Sequence, residues 1–150
     1  MHPSRYGLQL PLLFALASVS PLRAQAWIEY MVTGAASLAN REENVVMCSL
    51  TDEAFLVHTL GEWNVSIKTD TKTPGKHDAT FMVAAPDSLA ALNDFSVDDR
   101  LKGEGGVIIE DGGRGQLGFP RVALTYQASS LTSQAGKTIG IKGRLVCDVM

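Results

Sequence analysis

Two histidines stand beyond residue 26, His58 and His77, and they bound the acid–base chemistry open to this chain. Nucleophilic hydrolysis needs a serine, a basic imidazole and an acid to orient it. No Gly-x-Ser-x-Gly elbow occurs. His58 falls on the Leu56/Leu60 side of an alternating run and reads as a surface or core-edge residue. His77 lies between Lys76 and Asp78 after a turn, and neighbours on a strand point to opposite faces, so Asp78 is poorly placed to hold the ring.

Metal chemistry is equally thin. Two isolated histidines are a weak zinc or copper signal, and Met31, Met47 and Met82 sit in strand-like runs where methionine packs. Asp94, Asp98, Asp99 and Glu104, with the Glu110-Asp111 pair, are carboxylates of the kind calcium takes, but no EF-hand spacing is met. They read as solvated acids. No cofactor or metal is expected.

The glycines of 103–118, in the strings GEGG and DGGRGQLG, lack the Gly-x-Gly-x-x-Gly spacing and any Walker Lys-Ser/Thr. They read as a hairpin tip. The alternative is a binding loop carrying Asp111, Gly113 and Arg114, with Arg114 as the contact. Trp27, Tyr30, Trp63 and Tyr126 fall on strand faces that read as core or N-terminal edge, which leaves no stripe for stacking sugars. Asn64-Val65-Ser66 matches a glycosylation acceptor inside a strand.

The elements that must position these residues are strands. Apolar residues recur with a period of two in 28–32, 46–50, 55–60, 63–69, 81–85, 122–127 and, most clearly, 139–149. Leu60-Gly61-Glu62, Thr73-Pro74-Gly75-Lys76 and Gln134-Ala135-Gly136-Lys137 are turns. Pro86-Asp87-Ser88 is placed to cap a short helical turn over 89–92, and 93–106 reads as a polar surface excursion. The expected fold is all-β, a small antiparallel β-sandwich or flattened barrel of seven to nine strands.

Cys48 and Cys147 are the only cysteines, each on the apolar side of its strand. With no Cys-x-x-Cys and no histidine beside either, they read as one structural disulfide between an early strand and the last. Inward cysteines on two distant strands favour two packed sheets.

Residues 1–26 read as a secretory signal peptide. Arg5 precedes an apolar run at 10–19, and Ala24-Gln25-Ala26 has the small-x-small pattern of a cleavage site. The run is shorter than the ~20 residues a membrane-spanning helix needs. Without residues 1–26, eleven Lys and Arg face sixteen Asp and Glu, a formal charge of −5. That argues against nucleic acid and anionic lipid surfaces as partners. The expectation is a single domain at 27–150, periplasmic or extracellular. It would act as a non-enzymatic binding or envelope-associated structural protein with a protein or small-molecule partner. The alternatives are a carrier of an apolar ligand, or a secreted hydrolase or metal-dependent enzyme using His58 or His77.

Overall fold

The structure is a computed structural model that describes residues 26–86 and 100–150. Nine strands run through them: β1 (Trp27–Gly34), β2 (Leu38–Glu43), β3 (Val46–Leu50), β4 (Phe55–Thr59), β5 (Asn64–Thr69), β6 (Gly75–Ala84), β7 (Leu101–Arg114), β8 (Pro120–Thr132) and β9 (Thr138–Asp148). All pair antiparallel in one sheet of order β2-β1-β9-β8-β7-β6-β5-β4-β3. Most of the residues expected to form the signal peptide, together with the helical turn over 89–92, Asp94, Asp98 and Asp99, lie outside the described residues.

The fold is all-β with one disulfide, as the periodicity predicts, but the two packed sheets expected from the cysteines are one continuous sheet curled into a half-barrel. The cause is local. β2 and β3 are opposite ends of the strand order, yet only Asn44 and Val45 separate them in sequence. Nine strands at ~4.8 Å spacing cannot have their edges joined by two residues unless the sheet curls. Asn44 takes a left-handed conformation at φ 60, which asparagine tolerates better than most residues. Its N–H donates to the Ala26 carbonyl (2.8 Å), and Leu60 N–H donates to the Val45 carbonyl (2.9 Å).

The cysteines then meet across the seam. β1 ends its pairing with β9 at Trp27↔Val146. Past that point β3 takes its place: Cys48 bridges Val149, and Met150 N–H donates to the Cys48 carbonyl. Cys48 and Cys147 form the disulfide there, with their Cα atoms 6.0 Å apart. Both are buried, which is how inward cysteines on one curled sheet do what two sheets would do.

The concave side is filled by Phe55, Trp63, Phe81 and Tyr126 among aliphatic residues. Phe81 and Tyr126 pack with ring centroids 6.3 Å apart, tilted by 42°. Buried Thr59 ties the β4–β5 turn, accepting from Val65 N–H (2.8 Å) and donating to the Trp63 carbonyl (3.0 Å). The buried Thr69 hydroxyl has no partner among the described residues. An unsatisfied buried hydroxyl costs about 1–3 kcal/mol, so Thr69→Val should leave the denaturant midpoint unchanged or raise it.

Most of the glycine-rich stretch is strand. Gly103, Gly105, Gly112 and Gly113 lie in β7, and the turn is confined to 115–119. At Gly103 and Gly105 the main chain of β8, which carries an extra residue between Ala128 and Leu131, leaves no room for a side chain. A Cβ on Gly105 would collide with the Gln127 carbonyl and the Phe81 ring. The excursion expected over 93–106 likewise gives way to β7 from Leu101 onward.

Candidate functional site

Two surfaces stand out once the sheet is closed. The first is the β7–β8 tip. Its expected contact residues are engaged within the loop. The Asp111 carboxylate accepts from Gly113 N–H (2.8 Å), and Arg114 donates to the Gly118 carbonyl (2.7 Å). Gly113 sits at φ 79 with open space around it. Below the tip, Arg121 and Asp148 pair at 2.8 Å and are largely shielded from solvent.

That anchored loop projects Leu117, 80% exposed, and Phe119, 42% exposed. The register continues the apolar surface. Val149 N–H donates to the Pro120 carbonyl, which sets Phe119 opposite Met150, while Met150 hydrogen-bonds beside the β3 end that carries exposed Leu50. Phe119 and Met150 thus share the outward face at this end, with Leu117 on the adjoining turn and Leu50 on the inward parity of the β3 end. Sequence reasoning selected Arg114 and missed Leu117 and Phe119. Their signal was two bulky apolar residues inside a glycine-rich turn, where no core is available to them.

The second surface is on the convex side of β4–β7. Successive partners line up in two outward rows. One runs Met47, His58, Ser66, Met82, Lys102, and the other Ser49, Leu56, Lys68, Thr80, Glu104. Leu56, His58, Lys68, Met82, Lys102 and Glu104 wall a groove floored by Ser66 and Thr80.

Within it His58 Nδ1 and Ser66 Oγ lie 2.7 Å apart. It is the one hydrogen-bonded serine–histidine pair among the described residues. No side chain is hydrogen-bonded to His58 Nε2 among the described residues. The neighbouring main chain is committed to sheet pairing on both sides, so it offers no pair of free N–H groups for an oxyanion. His77 is elsewhere. It lies five residues along β6 from the Met82 row, on the opposite parity, and donates from Nε2 to the Thr73 carbonyl (2.6 Å). The two histidines do not converge. Of the acids weighed for calcium, Glu104 lines the groove, Glu110 pairs with Arg144 (3.2 Å) and Asp111 serves the tip. Among the described residues no three His, Cys, Asp or Glu side chains group as metal ligands. No helix among them is long and apolar enough to cross a membrane.

The strongest electrostatic effects fall on the two described tyrosines. Burial pushes the Tyr30 phenol up to about 12, opposed by the Asn40 hydrogen bond and reinforced by Glu42. Burial raises Tyr126 further still, with smaller contributions from Tyr30 and Glu29. Both favour the neutral phenol in the folded state. Stability from this source is complete below the ordinary tyrosine value near 10 and is lost as pH rises from there toward the folded values. Because the only other tyrosine, Tyr6, precedes residue 27, the 27–150 chain should show no phenolate absorbance at 295 nm at pH 10.5 while folded. Both phenols should ionise together when it unfolds. A normal titration of one tyrosine in folded protein would contradict the burial of that ring.

Comparison with protein-family models, with curated proteins and with solved structures finds no match to this chain.

Proposed function

We propose that this chain is an exported, non-enzymatic binding protein that docks a partner on the β7–β8 end of the half-barrel. The observation that carries the proposal is Leu117, 80% exposed on a loop tied by hydrogen bonds from Arg114, Gly115 and Gly118, with its base held by Arg121–Asp148. An apolar group held out on a pre-ordered loop loses little entropy on binding, and clustered exposed apolar surface marks contact sites. Export rests on residues 1–26 as a signal peptide cleaved after Ala26, and on a disulfide, which persists in oxidising compartments. The destination is then periplasmic or extracellular.

The test places a photo-crosslinking residue at Leu117 or Phe119, with Ala135 as control, in the protein exported by its source cell. One discrete adduct from 117 and 119 and none from 135 is expected. Equal labelling at all three positions, or none at the tip, would count against the reading.

The 2.7 Å His58–Ser66 contact favours a second reading, a hydrolase with Ser66 as nucleophile. It requires a fluorophosphonate to label Ser66 and His58→Ala to abolish that labelling. The missing orienting acid and oxyanion donors argue that neither occurs.

A further inference from the structure

The geometry points to a second ligand site, the convex β4–β7 groove, which takes a free long-chain carboxylate: the chain lies against Leu56 and Met82, and the headgroup lies between Lys68 and Lys102. This is independent of the tip.

The argument starts from how the strands arrange their outward side chains. Ser66 and Thr80 are small and stand on the two middle strands, while Leu56 and His58 rise from β4 and Lys102 and Glu104 from β7. Three strand spacings of ~4.8 Å separate those outer walls, and between them Ser66 and Thr80 leave a low diagonal, with Met82 beside Ser66 and Lys68 beside Thr80. Met82 is 39% exposed on the convex face, with flexible thioether surface suited to an apolar ligand. Met47, opposite His58 at the end of the same row, is 44% exposed and extends the apolar path toward β3.

The charges specify the headgroup. Lys68 and Lys102 both wall the groove, and neither forms an ion pair with a described residue, whereas Arg41, Arg121 and Arg144 each do. Lysine lays its methylene stem along apolar surface and keeps its ammonium at the rim. Two such stems therefore add to the apolar wall while presenting cations to a headgroup beside Met82, with Lys102 across from it and Lys68 diagonal to it. The lone acid, Glu104, stands at the β7 end of the second row. As the cross-strand partner of Thr80, it repels a carboxylate placed over Thr80 and so holds the headgroup on the Met82 side, between the lysines. His58 Nδ1 is engaged with Ser66, so the pair forms a satisfied polar stretch of wall.

Isothermal titration of the disulfide-intact 27–150 protein with sodium dodecanoate below its micellar concentration tests the site. Three outcomes are expected together. Dodecanoate binds one to one. Butyrate, which has the head without the chain, and dodecyltrimethylammonium, which has the chain with the opposite head, bind at least tenfold more weakly. Lys68→Gln/Lys102→Gln and Met82→Ser each weaken dodecanoate at least fivefold without changing the far-ultraviolet circular dichroism. Amide shifts on adding dodecanoate should map to β4–β7. No binding, equal binding of the cationic amphiphile, or shifts centred on Leu117 and Phe119 would each overturn the assignment. Since the tip is untouched by these substitutions, failure here leaves the docking reading standing, and the reverse holds.

Discussion

Breaking the Cys48–Cys147 bond should lower stability by about 4–5 kcal/mol, the largest effect expected from any single bond in this protein. The cysteines are 99 residues apart in sequence, and the chain-entropy model gives ~4.7 kcal/mol for a loop of about that length. The structure shows why little else compensates. β3 is the last strand of the sheet, paired along its length with β4 alone. On its other side, among the described residues, its backbone has only the bridge to Val149 and the Met150-to-Cys48 hydrogen bond. Without the disulfide, the seam between β3 and β9 depends on a few contacts at the end of a strand. The measurement is guanidinium unfolding of the oxidised protein against Cys48→Ala/Cys147→Ala. The double variant should melt roughly 10–20 °C lower. Its denaturant slope should rise, because the unfolded chain is no longer looped and exposes more surface. Superimposable curves would mean that the bond does not hold the seam.

Gly143→Ala should cost about 3 kcal/mol or more, an unusual penalty for adding one methyl group. Gly143 stands between Tyr30 on β1 and Tyr126 on β8, on the inward face of all three strands. The Tyr126 hydroxyl crosses over it to donate to the Glu29 carbonyl at 2.8 Å. A Cβ on Gly143 would land on that carbonyl and on the hydroxyl. Overpacking costs about 1–3 kcal/mol, and losing a buried hydrogen bond adds about 1–3. Tyr126→Phe separates the two contributions. In that background the hydroxyl clash is gone while the collision with the Glu29 carbonyl remains. Gly143→Ala should therefore cost less there but still be destabilising, a coupling of the kind expected for touching residues. Additive penalties would show that the hydroxyl does not pass over Gly143. An alanine tolerated at 143 in both backgrounds would place β9 farther from β1 than the structure has it.

Gly143 also shows where reading the chain in one dimension runs out. The alternation of Ile139, Ile141, Gly143, Leu145 and Cys147 puts all five on one face, and β9 does bury that face. Nothing in the alternation says that the glycine is the gap through which a tyrosine from β8 reaches the main chain of β1. That depends on β1 and β8 flanking β9, and β1 pairs with β9 across more than a hundred residues of sequence. The glycines of β7 make the same point in reverse. Composition alone reads them as a flexible tip, whereas pairing with β6 and β8 carries them through a strand, and at Gly103 and Gly105 the main chain of β8 leaves no room for a side chain.

What the sequence by itself determined is local and periodic: the strands, their inward faces, the turns at Gly61 and Gly136, the break at Thr73-Pro74 just before β6, the inward cysteines and the acidic charge. Each depends on a side chain's own preference or on its neighbours one to three residues away, and such preferences are written directly in residue order. Only the tertiary structure decided that a two-residue link between the edge strands curls one sheet instead of packing two. It also set Phe119 opposite Met150, and ranked Met47, His58, Ser66, Met82 and Lys102 in a row across five strands. Those arrangements follow from register and curvature, which are set by contacts between distant segments competing for one core, and so no window of sequence contains them.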